Sequence, residues 1–223
     1  MITIVQGPPG SGKTYWAVRY LISCLIRGDY VYTNIPICKP EIFKKIHQTT
    51  ALVIDEKQVI EIGENQIRQL NAIVSHGEGV NVQVIIDESQ FQLNARDFAQ
   101  QARELMNWAS VSRHYRADLV FITQHRHNID AQFRRLANQY LFLKDFQAFK
   151  FGGISFGLFP YFRVTVTDVD ESTITAREWI RKDKGLYRCY DSYSLAVGTN
   201  ANLLTKAGLF LDKKKLNRIG CAA

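Results

Sequence analysis

The chain has 223 residues, 46% apolar and 22% charged, which is enough apolar material for a full core in one domain with a small appendage. A formal charge of +7 and a pI near 9.2 favour polyanionic partners, either nucleic acid or an anionic membrane face. No stretch approaches about eighteen uninterrupted apolar residues, so none reads as a transmembrane segment. Cys24, Cys38, Cys189 and Cys221 form no C-x-x-C pair and no histidine-linked spacing, which argues against a zinc site and for a reducing cytosol.

The opening "MITIVQG" lacks the charged start and apolar middle of a secretion signal. Its apolar run, 2–6, predicts a buried parallel strand. "GPPGSGKT" follows at 7–14, and 15–27 is apolar almost all round, predicting an interior helix stopped by Gly28. Residues 30–35 read as a second strand. Over 36–80 the pattern is mixed, with "ALVI" (51–54) as a short strand and 66–75 as a helix. "VQVII" (82–86) is a strand. Phe98, Ala102, Leu105 and Ala109 recur at helical spacing and predict a helix over 97–112, before a strand at 118–124. Ile129, Phe133, Leu136 and Ala137 suggest a short helix ahead of a strand at 139–143.

This alternation predicts an α/β fold, a doubly wound and mostly parallel sheet, over residues 1–145. Residues 146–223 read as an antiparallel β extension and basic tail of the same compact unit. "FGGISFGLFPYF" (151–162) predicts a hairpin packed on the core, or else an exposed loop that meets a membrane or partner subunit. "YFRVTVTDV" (161–169) alternates like a strand with one wet face, and "GLYRCYDSY" (185–193) is its expected partner. Residues 203–219 predict a basic, helical tail.

"GPPGSGKT" matches G-x-x-x-x-G-K-[ST] between a predicted strand and a predicted helix, the context that gives the motif meaning. It predicts a nucleotide site built from Gly7, Pro8, Pro9, Gly10, Ser11, Gly12, Lys13, Thr14 and Tyr15. Glycines let backbone N–H groups turn inward around phosphates, and the following helix presents its positive end. Lys13 is expected to reach the terminal phosphates of ATP, and the Thr14 hydroxyl to bind Mg²⁺.

Two apolar runs end in Asp-Glu, at Asp55–Glu56 and Asp87–Glu88. A water-activating ATPase needs one such pair, closing a buried strand beside the phosphate-loop strand. After Asp87 come one predicted helix and a strand ending in Thr123 and Gln124, a polar terminus suited to sensing the γ-phosphate. After Asp55 the next strong strand ends in another acid. Asp87 is therefore assigned to the Mg²⁺ shell with Thr14, Glu88 to the attacking water and Gln124 to the sensor. Asp55–Glu56 is left as a surface pair. This is the additional-strand, catalytic-glutamate type of P-loop NTPase.

Transition-state charge calls for an arginine. Arg113, Arg116, Arg126, Arg134 and Arg135 are candidates, with Arg134 and Arg135 foremost. Supplied by a neighbouring subunit, that arginine implies a ring. Arg113, His114, Arg116 and Arg126 are expected to form a positive, DNA-facing surface at the sheet's carboxyl edge, making sequence-independent phosphate contacts.

"MITIVQGPPGSGKTYWAV", "VYTNIPI", "VIIDESQ" and "SRHYRADLVFITQHRHNIDAQFRRL" together resemble the zonular occludens toxin family of the FtsK–HerA superfamily, over roughly residues 1–145. The resemblance implies a viral ATPase that moves DNA during virion assembly in the cytoplasm of an infected bacterium, as a homo-oligomer. Viral membrane or capsid vertex proteins are its expected partners. Filamentous-phage members look larger, with a membrane span after this domain. The chain looks more like the genome-packaging ATPases of membrane-containing icosahedral phages. The alternatives are a membrane-associated assembly or secretion ATPase that does not pump DNA, and a small nucleotide kinase.

Overall fold

The computed structural model describes residues 1–62, 81–89, 109, 112, 116–146, 150–151, 154–155, 160–169 and 173–191. The phosphate-loop strand β1 (Ile2–Gln6) is central and parallel to both neighbours, β5 (Ala117–Thr123) and β6 (Gln139–Asp145). Beyond β5 the sheet continues in parallel through β4 (Val82–Ile86) and β2 (Tyr30–Thr33) to the short edge strand β3 (Val59–Glu61). Beyond β6 it turns antiparallel through β9 (Tyr161–Thr167) to β10 (Ile174–Arg181). A separate ribbon pairs β7 (Lys150–Phe151) with β8 (Ile154–Ser155). The fold is therefore α/β with an antiparallel extension.

The central strands carry apolar residues on both faces because both faces are covered. On one side, Val5, Ile85, Val120, Ile122 and Leu141 meet α1 (Lys13–Ile26) and α2 (Lys39–Thr50), which contribute Val18, Leu21, Leu25, Ile42 and Ile46. On the other, Ile4, Val84, Ile86 and Phe121 pack with Phe133 of α3 (Ala131–Leu136). Each fully buried aliphatic or aromatic side chain contributes roughly 1.5–3 kcal/mol.

The sequence expectations need four corrections. The acidic strand β4 does not lie beside β1; β5 lies between them. "ALVI" is not a strand. The helix α2 ends at Ala51 in a left-handed residue, Leu52 and Val53 are exposed, and Asp55 caps a 3₁₀ turn over Glu56–Gln58 before β3 begins. α2 falls in a stretch read as mixed. Only Ile42 and Ile46 of this helix are buried, too narrow a stripe to stand out, although Pro40 sits in its first turn. "GLYRCYDSY" does not pair with β9, which takes β10 instead. Residues Leu186–Cys189 form a 3₁₀ turn, and Tyr190 bridges Ile37. The predicted helices over 66–75 and most of 97–112, and the tail over 203–219, lie outside the described residues.

The extension presses on the phosphate loop. Gly12 has φ +91°, and a Cβ there would come within 2.6 Å of the Phe162 ring. Phe162 is buried, with the Tyr15 ring 5.1 Å away and the Lys182 ammonium 4.4 Å from its centroid. Phe162→Ala should lower the unfolding free energy by about 3–5 kcal/mol. The measurement is the urea midpoint at unchanged slope. A loss under about 1 kcal/mol would show that β9 does not support the loop.

Candidate active site

The phosphate loop leaves donors open toward an anion. α1 begins at Gly12 with no side-chain cap and no acidic residue in its first turn, so its leading N–H groups have neither a capping oxygen nor a neutralising charge. The loop turns on a Ser11 N–H to Pro8 carbonyl bond of 3.1 Å. Gly7 is wedged, since a Cβ would sit 2.6 Å from both the Leu143 carbonyl and Ser11 Oγ. Ser11 Oγ is buried without a hydrogen-bond partner, the kind of orphan a phosphate oxygen would satisfy. Lys13 Nζ donates to the carbonyls of Gly7 at 2.8 Å and Pro8 at 3.1 Å. Burial pushes its ammonium below the usual lysine range, while Asp87 and Glu88 oppose that shift. Pro8, Pro9 and Gly10 are exposed at the rim. The Tyr15 side chain turns away. It is buried, and its hydroxyl donates to the Arg181 carbonyl at 3.1 Å and accepts from the Asp183 N–H at 2.7 Å.

Asp87 and Thr14 meet: the Thr14 hydroxyl donates to Asp87 Oδ2 at 2.7 Å. Two hard oxygen donors at the mouth of a phosphate cradle are what Mg²⁺ takes alongside water and phosphate. Bound there, the ion would neutralise charge developing on the phosphates. Burial pushes the Asp87 carboxyl above the usual carboxylate range, against the Thr14 hydroxyl and the Glu88 N–H, which favour the ionised form.

The turn carrying the acids is held from three sides. The Asn34 amide, one residue past β2, accepts the Asp87 N–H at 2.7 Å and donates to the Asp87 carbonyl at 2.9 Å. The Glu88 N–H donates to Asp87 Oδ1 at 2.8 Å, and Ser89 Oγ donates to the Ile122 carbonyl of β5 at 2.8 Å. Glu88 itself is left-handed at φ +50°, a conformation that persists in a residue with a Cβ only when its surroundings over-determine it. Asp55, by contrast, is exposed and caps the 3₁₀ turn with Gln58.

Gln124 follows Thr123, which lies opposite Gln6, the residue before Gly7; Gln124 is exposed. Gln6 Oε1 accepts the Arg126 N–H at 3.2 Å, tying the end of β1 to the loop that follows β5. Arg126 lies over the Tyr140 ring at 5.9 Å. Arg134 holds His127 Nδ1 at 2.7 Å, and Arg135 is exposed. Neither contacts residues 7–14 among the described hydrogen bonds and ion pairs. Arg116 is misplaced by the sequence expectation. It precedes β5, and its carbonyl accepts the Val82 N–H, so it lies at the opposite edge, about 20 Å of strand from the loop. Arg113 and His114 lie outside the described residues. Sequence reading missed Asn34, Gln6 and Ser89. A polar residue closing a buried strand was the available signal for the first two.

Residues 1–196 match the zonular occludens toxin (Zot) family. The chain belongs to the zonular occludens toxin family. Among its relatives, the Gene 1 protein of Enterobacteria phage I2-2 is 25% identical over 211 residues, and that of Salmonella phage IKe is 24% identical over 207. Each alignment covers 86% of this chain and 56% of the relative, so the chain spans little more than half the length of either. The N-terminal domain of zonular occludens toxin from Neisseria meningitidis superposes with a TM-score of 0.53 at 18% identity, covering 85% of this chain and 98% of that one. The genome packaging NTPase B204 of Sulfolobus turreted icosahedral virus 2, in complex with ATPγS, gives 0.52 at 13%, covering 82% and 97%. The ATPase domain of G40P gives 0.55 at 13%, covering 83% and 82%. At these identities the likeness is one of fold, that of the P-loop NTPases.

The geometry around Asp87 makes two predictions. Asp87→Asn can still accept the Glu88 N–H through Oδ1 and donate from Nδ2 to the Thr14 hydroxyl, reversing that bond, and it removes a buried charge. A folded carboxyl held above its unfolded pKa disfavours the fold at neutral pH, and that penalty fades as pH falls through the folded value. The nucleotide-free variant should therefore melt about 2–4 °C higher than the parent at neutral pH, the shift that about 1 kcal/mol produces in a chain of this size. The gap should close on acidification in thermal melts at both pH values. Asn34→Ala leaves two backbone groups of Asp87 without their partner, and each buried orphan costs about 1–3 kcal/mol. Denaturant melts should show that loss, and Asn34→Asp, which cannot donate to the carbonyl, should restore only part of it.

Proposed function

We propose that this chain is an ATP-hydrolysing motor of phage virion assembly, that DNA is the polymer it moves, and that it works as a ring of identical copies. The observation that carries the reading is the 2.7 Å contact between the Thr14 hydroxyl and Asp87 Oδ2, with Glu88 next in a strained, pinned turn. Support also comes from the family and from the two phage relatives. ATP is the substrate, its phosphates in the N–H cradle of residues 7–14 and Lys13 moved from the Gly7 and Pro8 carbonyls onto the terminal phosphates. Glu88 accepts a proton from the water that attacks the γ-phosphorus as the bond to the ADP oxygen breaks. Gln124 reports the γ-phosphate to the loop that Gln6 anchors. Arg134 or Arg135 of a neighbouring copy meets the transition-state charge; Arg135, the exposed one, is better placed to reach across. The protein works in the infected host's cytoplasm, at the virion or beside a membrane.

A second reading has its own support. The Gene 1 relatives extend well beyond this chain, and an assembly ATPase acting at a membrane without pumping DNA fits them equally. No described helix is long and apolar enough to cross a membrane.

The purified chain should hydrolyse ATP in the presence of Mg²⁺, and faster when DNA is added. Lys13→Ala should lose nucleotide binding, while Glu88→Gln should bind ATP and turn over about 10²–10⁴ times more slowly. Turnover indifferent to DNA but raised by anionic vesicles would favour the second reading.

A further inference from the structure

We propose that the exposed face of β6, β9 and β10 that carries Phe142 and Trp179 is a binding platform for single-stranded DNA, on which these two rings stack bases while Arg163 and Arg177 hold phosphates. The proposal rests on DNA being the motor's substrate. Strand register defines the face. Phe142, Thr165 and Arg177 form one cross-strand row, and Lys144, Arg163 and Trp179 form the next. The first row continues to Gln6 of β1, directly opposite Phe142. Residues directly opposite one another share a face, so these side chains lie together.

Three features give the face its ligand class. It exposes apolar and aromatic surface, with Phe142 41% and Trp179 54% accessible. Neither row contains a carboxylate. Alternation sends Asp145 and Glu178 to the other side, where they pair with Lys182 at 2.7 Å and with Arg19 of α1 at 3.2 Å. Lys144 and Arg163 stand directly opposite each other, so this row carries two basic side chains. The Arg163 guanidinium also lies 4.9 Å from the Phe146 ring and 6.0 Å from Trp179. A groove of about 340 Å³ runs between Gln6, Phe142, Arg163, Thr165 and Arg177. Cations of one sign interleaved with exposed rings suit a chain of phosphates with unpaired bases, whose π-faces stack without regard to sequence. A duplex hides those faces.

Gln6 gives the platform a route to the chemistry. It lines the groove, precedes Gly7 of the phosphate loop, and anchors the Arg126 N–H beside the sensor Gln124. A strand lying in the groove would therefore press on the residue that joins loop and sensor.

The test measures binding of fluorescein-labelled oligothymidylate to the nucleotide-free full chain by anisotropy, across a salt series. The parent should bind it and prefer it to a duplex of the same length. Arg177→Glu, at an exposed position, should weaken binding by about tenfold or more. Trp179→Ala should weaken it about tenfold and Trp179→Phe only slightly, because a ring is retained. Arg177→Ala should reduce the slope of log affinity against log salt by about 0.7. Unchanged affinity in Arg177→Glu and Trp179→Ala, or equal binding of the duplex, would overturn the proposal. So would a change in oligomer mass in both variants with DNA affinity intact, since the face would then be a contact between copies. DNA-stimulated turnover with normal oligothymidylate binding in both variants sinks the platform and leaves the motor standing. Binding that these variants abolish, alongside turnover blind to DNA, sinks the motor and leaves the platform.

Discussion

The Asn34 amide clasps both backbone polar groups of Asp87, and this pair of hydrogen bonds sets where both acids stand. A carboxylate at a strand end would otherwise be free to swing with its turn. Here the peptide groups on either side of Asp87 are bonded to the neighbouring strand's exit, and Ser89 is bonded to the strand on the other flank. The turn can neither slide nor flip without leaving buried donors and acceptors unmet, each at about 1–3 kcal/mol. That reserve is what allows Glu88 to persist in a left-handed conformation costing about 1–2 kcal/mol. Strand β5 lies between β1 and β4, so the acids stand one strand over from the loop-bearing strand while Asp87 still reaches the Thr14 hydroxyl.

The antiparallel extension belongs to this site as much as the parallel sheet does. Leu143 of β6 limits Gly7, Phe162 of β9 limits Gly12, and the Tyr15 hydroxyl is bonded by the backbone on both sides of Lys182, at Arg181 closing β10 and at Asp183. Residues 182–191 then run back to α2 and the exit of β2, with Lys45 ion-paired to Asp183, and Cys38 N–H donating to the Cys189 carbonyl at 2.8 Å. A boundary at residue 145 thus marks a change from parallel to antiparallel pairing. We propose that it is not a seam along which the chain can be divided, because Gly12 and Tyr15 of the loop are fitted to Phe162, Arg181 and Asp183, all beyond it.

How each residue is used decides whether the sequence discloses it. Strands buried on both faces become continuous apolar runs, so β1, β4 and β5 stood out. The phosphate loop stood out because its chemistry is local, set by the spacing of neighbours. β10 is the opposite case: along "ITAREWIR" only Ile180 is buried, so an exposed edge strand reads as mixed polar sequence. α2 hid for a related reason, with two inward positions in twelve residues. Asn34, Gln6 and Phe162 act on partners 53, 120 and 150 positions away; a polar residue closing a buried strand could flag the first two, but no local pattern names the partner. Arg116 was misplaced because proximity to β5 in sequence says nothing of which end of that strand a residue occupies.

The site is a set of unfavourable states held in place by favourable surroundings. A buried ammonium rests on two carbonyls, a carboxyl is pushed up by burial, a hydroxyl has no partner, and Glu88 sits in a strained backbone conformation. Each is improved by the same event. A triphosphate with its metal would give Lys13 a countercharge, Asp87 a cation and Ser11 an acceptor, without rebuilding the strand ends that support them. Preorganisation of this kind places the free-energy cost in folding, before any substrate arrives, and leaves little reorganisation for the reaction step. Beneath the loop, Gly7 meets the Leu143 carbonyl and Gly12 meets the buried Phe162 ring. A site that stores strain needs a rigid floor, and here the floor is supplied jointly by the parallel core and its antiparallel continuation.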